Sequence, residues 1–127
     1  MIGEHTVSFS SWNDDQSRFV EVQYTIRLED HADADVSIEL LYEPKLPEEL
    51  QEPVHQGIYA GVHTAIGYLP TPPANGVTVK LLQLSVSAQP EIASPDEGQF
   101  LADVLETEFM SVVGGLWNAG QYVDGTL

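Results

Sequence analysis

Cysteine is absent from the 127 residues, which removes both disulfides and thiolate metal sites from consideration. Cations are nearly as scarce. Arg18, Arg27, Lys45 and Lys80 stand against twenty acids, for a formal charge of −16 and a pI near 4.1. Nucleic-acid affinity comes mainly from cations that displace phosphate counterions, so direct binding of DNA or RNA is not expected. No apolar run approaches the roughly 18 residues that a membrane helix needs. The opening Met-Ile-Gly-Glu-His has neither the basic start nor the apolar stretch of a secretory signal. The expected location is the cytoplasm.

What is present suits one α+β domain over residues 1–127, with 43% apolar content for its core. The acids are spread along the chain and do not form a tail. Such a charge fits a solvated surface, a salt-adapted source or a basic protein partner.

Val7 and Phe9 suggest a short strand over 5–10, and Asn13-Asp14-Asp15 is a turn signal. From Phe19 to Leu28 the alternation is clean, with Val20, Val22, Tyr24, Ile26 and Leu28 on one face and polar residues on the other. Val36, Ile38, Leu40 and Tyr42 repeat it, which predicts a hairpin with the preceding strand across the acidic 29–35 loop. Pro53 is placed to open a helix whose buried stripe is Val54, Ile58, Val62, Ile66 and Leu69. Gly57, Gly61 and Ala65 on its flank predict close approach to a neighbouring backbone, in the sheet or in the second helix. After the Pro70–Gly76 breaker cluster, Val77–Ala88 reads as a strand whose apolar phase changes at Leu81-Leu82, as a bulge or burial on both faces would require. Ser94-Pro95-Asp96-Glu97 has the form of a capping box opening a helix with Leu101, Leu105, Phe109, Val112 and Leu116 buried. Gly114-Gly115 should end it, leaving 117–127 as a tail with Trp117 and Tyr122 folded back. The economical packing of this β-β-β-α-β-α order is a four-stranded, mostly antiparallel sheet with two helices on one face.

Pro47, Pro53, Gly57-Ile58, Val62 and Ala65-Ile66, then Pro73 and Gly76-Val77-Thr78-Val79-Lys80-Leu81, then Ser94, Glu97 and Phe100 form an ordered set. Across roughly residues 45–113 this set resembles domain IV of translation elongation factor G. The resemblance implies a ribosomal-protein-like fold. In the full factor this domain reaches the ribosomal decoding site and has no catalysis of its own. The chain holds no glycine-rich phosphate loop of a GTPase. Ser10-Ser11-Trp12-Asn13-Asp14-Asp15 also stands where the family has a basic, glycine-rich segment. The fold is carried over and the ribosomal role is not.

Motifs for chemistry are weak. His55 and His63, eight apart on a helix, lie about 12 Å apart along its axis, too far to share one metal. With Tyr59 they read as a partly exposed helix flank. The Asp30–Asp35 loop lacks the central glycine and closing glutamate of an EF-hand and reads as solvated. Asp96, Glu97, Asp103, Glu106 and Glu108 serve capping and solvation, and Ser8, Ser10, Ser11, Ser85 and Ser87 have no nucleophile-elbow context. The chain is thus expected to be non-enzymatic and without cofactor or metal. Its partner would be a protein, basic or from the translation machinery, or a second copy of itself, met through the polar sheet face or an exposed strand edge. Trp12, Phe19, Glu21, Gln23 and Arg27 are the candidate contact residues. The alternative is an acidic inhibitor or immunity-type protein for a basic enzyme, with carboxylates gathered on one face. A small hydrolase or metal enzyme would require a cleft of converging histidines or carboxylates.

Overall fold

The computed structural model describes residues 3–31, 36–42, 46–69 and 76–123. The elements run β1 (Gly3–Trp12), β2 (Phe19–His31), β3 (Val36–Leu40), α1 (Glu48–Gly67), β4 (Gly76–Gln89) and α2 (Gln99–Val123). Two helices cover one face of a four-stranded mixed sheet of order β1-β2-β4-β3, the α+β arrangement that the alternation and helical stripes imply.

β1 and β2 are antiparallel and joined at the Asn13 turn. There the Asn13 N–H donates to the Arg18 carbonyl, the Arg18 N–H donates to Asn13 Oδ1, and Asp15 Oδ1 accepts from the Ser17 backbone. Gln16 takes the left-handed conformation that closes the loop (φ 58°). β3 is not the hairpin partner of β2. It lies at the far edge, parallel to β4, while β4 pairs antiparallel with β2. Alternation tells which face of β3 is buried and nothing about its neighbour. A parallel pair needs a long crossover, and α1 supplies it.

The expected phase change in β4 is a bulge. Thr25 faces Gln83 and Ile26 faces Leu81, so Leu82 is an extra residue in the ladder. It keeps Val77, Val79 and Leu81 on the same face as Leu84, and all four are buried against the inward row of β2.

α1 begins five residues before Pro53, at Glu48, so Pro53 lies inside the helix. Glu48 and Glu49 suit the positive end of the helix dipole. Near an N-terminus a proline forfeits a single backbone bond, which burial of Leu50, Pro53 and Val54 offsets. The Ser94 cap forms its bonds one turn early: Ser94 Oγ accepts from the Glu97 N–H at 3.4 Å, and Glu97 Oε2 accepts from the Ala93 N–H at 2.9 Å. Tight turns through Gly98 then lead into α2. Gly114-Gly115 do not end α2, which runs on to Val123. The expected tail therefore begins inside the helix. Val113 and Trp117 are buried on either side of the glycine pair, and that packing outweighs the roughly 1 kcal/mol by which each glycine disfavours a helix.

The close approach expected at Gly57 and Gly61 is made to the second helix. Their Cα atoms face the Ala102 and Glu106 carbonyls of α2 too closely for a side chain. Residues 32–35, 43–45 and 70–75, with Lys45 and most of the acidic loop, lie outside the described residues, as does the Tyr122 side chain.

Candidate interaction surface

The helices leave one face of the sheet open, and its side chains come in rows because cross-strand partners stand side by side. Glu4, Arg27, Lys80 and Glu39 make a charged row across all four strands. Arg27 pairs with Glu4 at 2.8 Å, and Glu29 takes Lys80 at 3.0 Å. Lys80, with Arg27 beside it, holds the Glu29 carboxyl below the usual carboxylate range. Thr6, Thr25 and Gln83 form the next row, linked by hydroxyl bonds of 3.0 and 3.2 Å. Ser8, Gln23 and Ser85, then Ser10, Glu21 and Ser87, follow in register. These two rows line a shallow open depression of about 360 Å³. Trp12 and Phe19 close the face, with ring centroids 4.9 Å apart and Trp12 54% exposed.

Trp12, Phe19, Glu21, Gln23 and Arg27 thus share one face. The alternation of β2 places the last four, and the β1–β2 register adds Trp12. The hydroxyls in the depression have no histidine or lysine among its lining residues, and Glu21 is the carboxylate beside them. The outward carboxylates Glu4, Glu21, Glu29 and Glu39 outnumber Arg27 and Lys80. The remaining described cation, Arg18, is held by Glu97 at 3.4 Å and by the Pro90 and Glu91 carbonyls. Every described Lys and Arg is therefore paired with an acid of this chain.

Two tertiary contacts lie outside what spacing can reveal. The Tyr24 hydroxyl donates to Glu108 Oε2 at 2.6 Å beneath the sheet, with its ring stacked on Phe109. Burial and the neighbouring carboxylate push the Tyr24 hydroxyl far above the ordinary tyrosine value. The only hint was a tyrosine in an inward row, whose hydroxyl needs a partner. Tyr42 meets His55 Nε2 at 2.7 Å, and burial lowers the His55 pKa. Tyr59 and His63, further along α1, are exposed. Among the described residues, no group of three or more metal-ligating side chains converges, and no helix is long and apolar enough to cross a membrane.

No family model and no curated protein matches the chain. A crystal structure of a protein from Thermus thermophilus aligns with 80% of this chain and 14% of its own length, at 19% identity and a TM-score of 0.45.

Proposed function

We propose that the chain is a non-enzymatic binding domain of the elongation factor G domain IV type, acting in the cytoplasm through protein contacts on its open sheet face. The uncovered rows from Glu4–Arg27 to Trp12–Phe19 carry this reading. They offer hydroxyl and amide partners for hydrogen bonds in the middle and an aromatic anchor at one end, the mixture that protein interfaces use. The pairing of each described cation with a glutamate speaks for a protein partner over ribosomal RNA. Carboxylates also stand on the sheet face, on the outer sides of both helices and in the 91–97 segment. That spread favours this reading over an inhibitor working from one acidic face.

The test is an affinity pull-down with the intact chain beside Gln23→Trp and Ser85→Trp, which put bulk into the middle rows, and Tyr68→Ser at the far end of α1. The proposal expects a protein retained by the parent and by Tyr68→Ser and lost with both face variants. A retained set that ignores the face variants would overturn it. Release of a single basic protein at high salt, indifferent to the face variants, would favour the acidic-inhibitor reading.

A further inference from the structure

Strand β1 has β2 on one side and an open sheet edge on the other. Natural edges are blunted by shortness, lysine, proline or a bulge. β1 has ten residues and none of these devices. The Asn13 N–H donates to the Arg18 carbonyl at the mouth of the turn. Bonded and non-bonded pairs alternate along an antiparallel ladder. In the observed register, Ser11–Val20, Phe9–Val22, Val7–Tyr24 and His5–Ile26 therefore exchange bonds. The N–H and C=O groups of Thr6, Ser8 and Ser10 are left pointing away from β2, to the free edge.

A groove of about 480 Å³ runs beside that edge, between Phe9–Ser11 and the α2 residues Asp103, Val104, Thr107, Glu108 and Ser111. Gly3 lies against Leu116 while Phe9–Ser11 lie by Asp103–Ser111, so α2 runs antiparallel alongside β1. Asp103 and Glu108 stand five residues apart, about 7.5 Å along the helix axis. Alternate side chains of an extended strand are about 6.8 Å apart. None of the described cations pairs with either carboxylate; Glu108 Oε2 accepts from the Tyr24 hydroxyl, which leaves its charge uncompensated. A second copy of the chain would bring another sixteen negative charges to this edge, whereas a cationic segment would be drawn to it.

We propose that an extended, Lys- or Arg-bearing segment of a partner protein adds to β1 as a fifth strand. Its backbone pairs with Thr6, Ser8 and Ser10, and its groove-side cations face Asp103 and Glu108. This is the strand-addition mode of peptide recognition, with main-chain bonds for affinity and alternate side chains for specificity. The strand uses the outward backbone of Thr6, Ser8 and Ser10, whose side chains belong to the open-face rows, so Gln23→Trp and Ser85→Trp, which leave this edge unchanged, tell the two readings apart.

The probe is a decapeptide of alternating Lys and Thr, titrated into the full chain at low salt, with amide exchange followed by NMR. Saturable binding is expected, with slowed exchange at Thr6, Ser8 and Ser10. Ser8→Pro removes an outward N–H without touching the β2 ladder, a position an edge strand tolerates. Asp103→Lys reverses an exposed charge in the groove. Each should weaken binding by about tenfold or more. A decapeptide of alternating Lys and Pro carries the same charge but cannot complete a ladder. If it binds as well, charge alone is at work and the proposal falls. It falls equally if both variants bind like the parent, if those three amides are not protected, or if β1 instead pairs with a second copy and excludes the peptide.

Discussion

A Cβ placed on Gly57 would lie 2.6 Å from the Ala102 carbonyl oxygen, and one on Gly61 would lie 2.6 Å from that of Glu106. Both obstacles are backbone, which cannot swing aside as a side chain can. Gly57→Ala and Gly61→Ala should each destabilise by about 1–3 kcal/mol through overpacking, despite the roughly 1 kcal/mol that alanine gains in helix propensity. Gly115→Ala meets nothing within 4 Å and should stabilise by roughly 0.5–1 kcal/mol. Urea unfolding of the three variants compares them directly. His55 supports a second expectation at this scale. Burial holds it neutral in the fold, so the unfolded chain binds the extra proton. Stability is then present above the ordinary histidine value of about 6.5 and is lost as pH falls through it toward the lowered one. Urea midpoints should drop over that window, and His55→Gln, which keeps a partner for Tyr42 but cannot titrate there, should flatten the drop. The Glu29 contribution is lost only at lower pH, as the carboxyl that Lys80 depresses becomes protonated.

At the scale of elements, the bulge and the length of α2 give sharper tests. Leu82 separates two stretches of β4 whose inward phases differ by one residue. Deleting it would leave Leu81, Gln83 and Leu84 opposite Ile26, Thr25 and Tyr24 in an unbroken ladder, with Gln83 still outward and Leu84 still inward. A Leu82 deletion should therefore keep the cooperative thermal transition, as should Leu82→Ala, whereas an Ala inserted between Leu84 and Ser85 would turn Ser85 inward and Val86 outward and should lose it. Trp117 is 7% exposed and packed within α2. Trp117→Ala should lose about 3–5 kcal/mol, an amount that no loosely held tail would show. Melting followed by circular dichroism reads both.

The whole molecule carries twenty acids and four Lys or Arg residues, and its described cations are already paired, so repulsion among carboxylates is the uncompensated term. The screening length falls from about 30 Å at 0.01 M salt to about 3 Å at 1 M. Added NaCl should raise the melting temperature, since exposed ion pairs such as Arg27–Glu4 contribute only about 0–1 kcal/mol to be lost. A melting temperature that falls with salt would mean that the ion pairs outweigh the repulsion.

Patterns of short range determined much of this protein: the inward rows of β2 and β4, the phase change at Leu81-Leu82 that the register resolves as a bulge, the Asn13 turn, the glycine flank of α1 and the polar face bearing Glu21, Gln23 and Arg27. Each depends on a period or a local bond that the residues themselves carry. Tertiary structure alone decided the rest. β3 pairs with β4 and not β2, because alternation names a face and never a neighbour. α2 continues through Gly114-Gly115, because Val113 and Trp117 are anchored in a core contributed by distant segments. Trp12 joins Phe19, and Tyr24 finds Glu108, across 84 positions in the second case, because such partners are chosen by packing in three dimensions, which no spacing along one chain encodes.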